Sequence, residues 1–123
     1  MNTCDLAPLL LLVVIFLPVP PAAQNDSAEG NKLILSCKAA VEFAEGREWK
    51  SGGEAFDMGF CLGLVEGVAF SSPEVCTSSD VVTHGQGARV VVKYLNDHPE
   101  KLNLRRHRLV EAALAQAFPC EKH

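Results

Sequence analysis

Cysteine is the residue type in this sequence with the widest range of chemistry. The 123 residues include Cys4, Cys37, Cys61, Cys76 and Cys120. A cysteine can act as a nucleophile beside a base, bind zinc, or form a disulfide. No Cys-x-x-Cys or paired His-Cys spacing is present, which disfavours a zinc site. The four cysteines after Cys4 form an even set in a small chain, and this favours two disulfides.

The histidines and carboxylates do not form a recognisable catalytic or metal-binding pattern. No His-x-x-x-His pair occurs among the four histidines, His84, His98, His107 and His123. Asp57 and Glu66 would lie about 13 Å apart along a helix, which is too far for a cooperating acid and base. A glycine-rich phosphate loop and a Gly-x-Ser-x-Gly elbow are also missing. The sequence therefore argues against an enzyme and predicts no metal or other cofactor.

The beginning of the sequence has the features of an export signal. An apolar run from Leu6 to Leu17 is followed by the helix-breaking, small-residue segment PVPPAA. The run is too short to span a bilayer, so we predict a signal peptide over residues 1–23 that is cleaved after Ala23 and removes Cys4. Residues 24–30 are polar and predict a flexible N-terminus. Residues 31–123 then form the domain.

The charge balance limits the classes of partner. The chain has 11 basic and 15 acidic side chains and a formal net charge of −4 at pH 7. Nucleic acids and anionic membrane surfaces both require a basic patch, and the sequence has none of sufficient length. We therefore expect neither nucleic acid nor, after signal cleavage, a membrane as the main partner.

Apolar residues recur at three- and four-residue spacing through most of the remaining chain, and this spacing is typical of amphipathic helices. His98-Pro99 and Phe118-Pro119 each interrupt the pattern, as expected for residues before proline. The predicted fold is all-α, a small disulfide-stapled bundle of about four helices. These helices are predicted from Asn31 to Gly46, from Glu54 to Phe70, from a cap at Ser78 or Ser79 to Asp97, and through Leu109 to Ala117.

Helix lengths then favour one pairing of the cysteines. Cys37 lies about nine residues before the predicted turn at residues 46–53, and Cys61 lies about eight residues after it. The two would reach the same height in an antiparallel hairpin. By the same argument Cys120, at the end of the fourth helix, lies near Cys76 at the start of the third. The preferred connectivity among the three possible is Cys37–Cys61 with Cys76–Cys120.

The second predicted helix contains the segment GFCLGLVEGVAF, in which Gly59, Gly63 and Gly67 are spaced by four. The apolar segment is too short for a membrane span and includes a carboxylate. Each glycine costs about 1 kcal/mol of helix propensity relative to alanine. We therefore predict that the row admits a closely packed helix. A helix of the same chain is favoured as the neighbour, and a dimer mate is the alternative.

Several ordered motifs resemble a known family. FCLGLVEGVAF, HGQGARVVVKYLNDHPEKL and LVEAALAQAFPC, with the four cysteines, are similar to the Rap/Tai family over about Leu33 to Cys120. Its members are periplasmic immunity proteins against amidase effectors of type VI secretion. The resemblance implies an exported, all-helical inhibitor that covers the active site of a peptidoglycan-cleaving amidase, has no catalytic residues, and forms a homodimer.

If there is such a toxin, the first helical connection is the best candidate for contact. It contains the only tryptophan and an arginine, the residue types that most often anchor interfaces. The alternative is that these residues only close the hairpin. A different function, that of a general periplasmic helical envelope protein or stress chaperone without a cognate toxin, also remains open. The candidate contacts are Glu45, Arg47, Glu48, Trp49 and, in the next connection, Glu74.

Overall fold

A computed structural model describes residues 27–77 and 82–121 of the chain. The predicted signal peptide and the predicted caps Ser78 and Ser79 lie outside these ranges. No helix in the described ranges is long and apolar enough to cross a membrane. The all-α prediction is confirmed there, and a short 3-10 helix, Pro99–Lys101, precedes the last helix. The α-helices are α1 Ser27–Ala44, α2 Gly52–Ser71, α3 His84–Asp97 and α4 Arg106–Ala117.

Helices α1 and α2 form an antiparallel hairpin. Gly46 supplies the positive φ of 92° with which the chain leaves α1. The Ser51 hydroxyl accepts a hydrogen bond from the Glu54 backbone N–H at 3.2 Å and so caps α2. Across the hairpin, the fully buried Cys37 and Cys61 are joined by a disulfide with an S–S distance of 2.06 Å. This is the first of the two pairs that the sequence favours.

Helix α3 begins later than expected. Its N-cap is Thr83, whose hydroxyl accepts from the Gln86 backbone N–H at 3.2 Å. The prediction of a helix that includes Val82 is therefore wrong, because the cap at Thr83 makes His84 the first residue of the helix. From there the buried positions Ala88, Val91 and Leu95 recur at helical spacing and face the core.

Helix α1, in contrast, begins earlier than expected. Residues from Ser27 onward are helical, so the prediction of a flexible segment reaching residue 30 is wrong for its last four residues. The backbone explains the early start. The Gly30 N–H donates to the Leu102 carbonyl at 3.1 Å, and a Cβ atom on Gly30 would lie only 2.6 Å from that oxygen. A glycine at position 30 is therefore required for this contact.

The C-terminal segment holds the connection between α2 and α3 in place. After α4, Pro119 forms an antiparallel bridge with Val75, and the Cys76 N–H donates to the Phe118 carbonyl at 3.0 Å. A disulfide joins Cys76 to Cys120 with an S–S distance of 2.01 Å, which is the second favoured pair. The segment that follows α4 is thus fixed to the connection between α2 and α3.

Among residues 27–77 and 82–121, nothing packs closely on the glycine row of α2. Gly59, Gly63 and Gly67 are all exposed, and a Cβ atom on any of them would meet no atom of the described residues within 4 Å. The expected neighbouring helix of the same chain is therefore not found in the described part of the chain. The buried residues of α2, Cys61 and Val65, lie on the opposite side of the helix. Because the Cys61 disulfide must point toward α1, it turns the glycine row outward.

The glycines that admit close neighbours lie on α3. A Cβ atom on Gly85 would lie 2.6 Å from Ala44 Cβ, and one on Gly87 would lie 2.7 Å from Val65 Cγ1. The first turn of α3 therefore packs against both α1 and α2.

Candidate partner-binding surfaces

Arg47 holds the connection between α1 and α2. Its guanidinium pairs with Glu42 on α1 and with Glu54 on α2. The Lys50 backbone N–H also donates to Glu54 at 2.7 Å. The hydrogen bond with Arg47, followed by the one from Lys50, lowers the pKa of the Glu54 carboxyl below its ordinary value. The same bond with Glu54 is the main reason why the pKa of Arg47 is raised. Arg47 is therefore committed to closing the hairpin.

The Trp49 side chain of this connection is available to a partner. It is 52% exposed, and its ring lies 5.3 Å from the ring of Phe43 on α1. Of the other predicted contacts, Glu48 is exposed, whereas Glu45 approaches Arg89 of α3 at 3.5 Å. The connection thus presents the Trp49 ring, which packs on Phe43, together with the nearby carboxylates of Glu45 and Glu48.

A shallow groove begins beside this connection and continues between α1 and α2. Its volume is about 560 Å³. Lys38 and Arg47 contribute the positive charges of its lining, and Glu42, Glu54 and Asp57 contribute the negative ones. A partner surface entering this groove would therefore meet side chains of both charges.

Glu74 lies at the other end of the molecule. It is exposed in the loop after α2, where its backbone N–H donates to the Ser72 hydroxyl at 3.2 Å. That hydroxyl in turn donates to Glu111 of α4 at 2.8 Å. The 20 residues of α2, about 30 Å of helix, separate this loop from Trp49. The structure therefore does not bring the predicted contacts into one compact patch.

A pocket that the sequence did not reveal lies between α2 and α3. It has a volume of about 390 Å³ and combines the apolar side chains of Val65, Phe70 and Leu114. At its rim Glu66 and His84 pair at 3.1 Å. These residues are far apart in the chain and follow no local motif, so no pattern in the sequence could have indicated the pocket.

The outward side of α2 is apolar as well as glycine-rich. Phe56 is 72% exposed and Phe70 is 94% exposed, and the three glycines lie between them on the same side. We call Phe56, Gly59, Gly63, Gly67 and Phe70 the outer face of α2. The four-residue spacing in the sequence indicated the glycines but not the phenylalanines, although both aromatic residues stand seven positions from Gly63. Seven residues are two helical turns, and this spacing was the available signal.

Asp57, one of the carboxylates considered in the sequence, is paired across the hairpin. Asp57 accepts a hydrogen bond from the buried Ser36 at 3.1 Å, which places the carboxylate against α1. Among residues 27–77 and 82–121, no group of three or more His, Cys, Asp or Glu side chains could hold a metal ion.

Comparison with protein families identifies the chain. The family model described as Rap1a immunity proteins matches residues 29–120, which include α2 to α4, nearly all of α1 and both disulfides. No curated protein and no solved structure matches the sequence. Because the match spans well over half of the 123 residues, the chain belongs to the Rap1a immunity protein family.

Proposed function

We propose that this immunity protein is exported to the periplasm, where it inhibits a peptidoglycan-cleaving amidase effector of type VI secretion by covering the active site. The observation that carries the proposal is the family match over residues 29–120. An immunity protein acts by binding a secreted toxin. The amidase target and a homodimeric form are the further steps that the Rap/Tai resemblance supports.

The disulfides support the proposed location. Cys37–Cys61 and Cys76–Cys120 are both formed. Disulfides persist in oxidising compartments such as the bacterial periplasm and are rare in the cytosol. Peptidoglycan, the proposed substrate of the toxin, is also in the periplasm. The predicted signal peptide over residues 1–23 would deliver the protein to this compartment.

The connection between α1 and α2 is the proposed contact with the toxin. Trp49, Glu45 and Glu48 would touch the amidase, and Arg47 would hold them in position through its ion pairs with Glu42 and Glu54. A surface that is fixed before binding loses little conformational freedom on association, which favours affinity. Glu74, about 30 Å away, would contact the toxin only at the edge of a large interface.

Inhibition of a purified amidase tests the proposal. The gene for a candidate effector is sought beside the gene for this chain, and its product is assayed for cleavage of peptidoglycan while the disulfide-bonded chain is added. Loss of amidase activity at near-equimolar amounts is expected. An amidase that stays fully active with excess chain would contradict the proposal and favour the envelope-protein alternative.

A second arm of the experiment tests location. Cells that express the amidase in the periplasm should survive with the full-length chain and lyse when residues 1–23 are deleted. Survival with the deleted form would contradict export as the basis of protection.

A further inference from the structure

Two grooves between α1 and α2 share part of their lining. The larger one, of about 560 Å³, is lined by Leu35 and Asp57 and also by Arg47 of the connection between the helices, among others. The smaller one, of about 310 Å³, is likewise lined by Leu35 and Asp57 and extends to Arg106, the first residue of α4. Because the grooves share residues, they form one continuous depression, which we call the α1–α2 seam. A partner that touches the connection can therefore continue along this seam.

The middle of the α1–α2 seam is apolar and exposed. Leu35 on α1 is 66% exposed and Phe56 on α2 is 72% exposed. The Phe56 ring lies 6.4 Å from the Phe60 ring, and the Arg106 guanidinium lies 5.0 Å from the centre of the Phe60 ring. Arg106 is itself paired with Glu29 at 2.5 Å. Large apolar side chains that lie side by side at a groove, unlike single ones scattered over a surface, are typical of a contact with another molecule.

Two lysines stand on either side of this apolar centre. Lys32 and Lys38 are each three positions from Leu35 on α1, and both are exposed and line the seam. Within residues 27–77 and 82–121, neither ammonium group forms a hydrogen bond or an ion pair. Six residues of helix place the two lysines about 9 Å apart along the axis of α1.

The carboxylates of the same lining are already engaged. Asp57 accepts a hydrogen bond from Ser36 at 3.1 Å, and Glu42 and Glu54 both pair with Arg47. As far as the structure describes it, the lining therefore offers two unengaged ammonium groups and no unengaged carboxylate. This is the charge pattern that an acidic partner complements, in a chain whose own net charge is −4.

We propose that the α1–α2 seam binds an acidic segment of the toxin. Two carboxylates of that segment, about 9 Å apart, pair with Lys32 and Lys38, and an apolar side chain between them packs on Leu35 and Phe56. An apolar centre with charged groups at its rim is the usual anatomy of a protein interface. The inference rests on the proposed function and extends the toxin contact from the connection along α1.

Charge also disfavours a second copy of the chain as the occupant. In a contact between identical surfaces, each copy presents the same patch to the other. A second copy on the α1–α2 seam would bring its own unengaged Lys32 and Lys38 to this face. Like charges brought together across an interface oppose association.

Association kinetics with the purified amidase test the two lysines. Lys32→Ala with Lys38→Ala should lower the association rate constant about 10-fold at an ionic strength of about 0.05 M, because attraction between charges speeds encounter. At about 0.5 M, where screening acts beyond about 4 Å, the difference should shrink to less than about twofold. The matched control, Lys93→Ala with Arg108→Ala, removes the same charge from exposed residues that line neither groove. It should associate at nearly the wild-type rate.

Leu35→Ala tests the apolar centre. Leu35 is largely exposed and alanine favours helix, so the melting temperature should not fall. The complex should dissociate about 10-fold faster, because the loss of a contact at the centre of an interface acts mainly on the dissociation rate. Leu104→Ala, at a position that is 43% exposed and lines neither groove, should keep the wild-type rate.

A photo-crosslinker at position 35 identifies the occupant. Leu35→benzoylphenylalanine, irradiated in the complex, should link to an amidase segment that has carboxylates on both sides of an apolar residue, as determined by peptide mass spectrometry. Linkage to a second copy of the chain or to a basic segment overturns the proposal. Wild-type kinetics for both the double lysine variant and Leu35→Ala overturn it as well.

Failure of this inference differs from failure of the proposed function. If the wild-type chain inhibits the amidase and the seam variants bind as the wild type does, the toxin binds elsewhere and only the inference is wrong. If the wild-type chain neither binds nor inhibits the amidase, the proposed function fails and the assigned occupant fails with it.

Discussion

Gly87 of α3 lies directly against Val65 of α2, so that a Cβ atom at position 87 would be 2.7 Å from Val65 Cγ1. Val65 is only 6% exposed, and its branched side chain has little freedom to rotate. The distance between α2 and α3 is therefore set by the lack of a side chain at position 87.

We expect Gly87→Ala to lower stability. The added methyl group must displace Val65 or separate the helices, and overpacking of this kind costs about 1–3 kcal/mol, offset in part by the better helix propensity of alanine. The melting temperature measured by circular dichroism should fall by several degrees. The control is Gly53→Ala, because a Cβ atom there meets only Ser51 Oγ at 3.8 Å. Equal melting temperatures for the two variants would contradict this account.

The contrast between these glycines shows what the sequence could predict. A four-residue spacing places Gly59, Gly63 and Gly67 on one side of α2, but α2 has apolar residues around its whole circumference, so the pattern does not tell which side faces the core. The required glycines, Gly85 and Gly87, lie in a first helical turn and resemble ordinary loop residues. Their role depends on contacts between helices, which no local pattern reports.

The cysteine pairs could be predicted because they depend on simple lengths. Two antiparallel helices with a known turn place Cys37 and Cys61 at the same height, and no side-chain detail is needed. The start of α3 was harder to predict. Ser78, Ser79 and Thr83 are all good N-cap residues, and the choice between them depends on which backbone N–H groups need a partner.

The two disulfides should differ in their resistance to reduction. Cys37 and Cys61 are fully buried, whereas Cys76 is exposed at the surface. Because exchange requires a thiolate to reach the sulfur atom, mild reductant without denaturant should open Cys76–Cys120 first. Alkylation followed by peptide mass spectrometry would identify the reduced pair. Earlier labelling of Cys37 and Cys61 would contradict the prediction.

Loss of either disulfide should also reduce stability, as measured by urea unfolding. The chain-entropy model gives about 3–4 kcal/mol for loops of this length, with the larger value for Cys76–Cys120, whose partners are 44 residues apart rather than 24. The double variants Cys37→Ala with Cys61→Ala and Cys76→Ser with Cys120→Ser test the two bridges separately. A variant that keeps wild-type stability would show that its disulfide does not constrain the unfolded chain.

Glu54 should make the stability of the folded protein depend on pH in the acidic range. Its pKa in the folded protein lies below the ordinary value of 4.5, chiefly because Arg47 donates a hydrogen bond to its ionised form. A lowered folded pKa stabilises the protein above the unfolded pKa, and this contribution is lost as the pH falls through the folded pKa.

The variant Glu54→Gln isolates this effect. At pH 7 it should melt below the wild type, and the difference should shrink as the pH falls below the unfolded pKa and through the folded pKa, because Glu54 of the wild type then also becomes neutral. Thermal melts over this range would measure the change. A difference in melting temperature that stays constant from pH 7 to about pH 3 would contradict the proposed role of the Arg47 pair.

Trp49 should affect toxin binding more than folding. Its ring is half exposed and contacts Phe43, which is itself 42% exposed, so Trp49→Ala removes little buried area and should cost the fold about 1 kcal/mol or less. An anchor residue in an interface typically contributes 2 kcal/mol or more, so affinity for the amidase should fall by about 30-fold or more. Leu104→Ala is the control, because Leu104 has similar exposure, 43%, but lies outside the connection between α1 and α2.

Calorimetric titration of both variants, with melting curves measured in parallel, would decide the role of Trp49. If Trp49→Ala keeps wild-type affinity but melts several degrees lower, Trp49 covers the hairpin and does not contact the toxin.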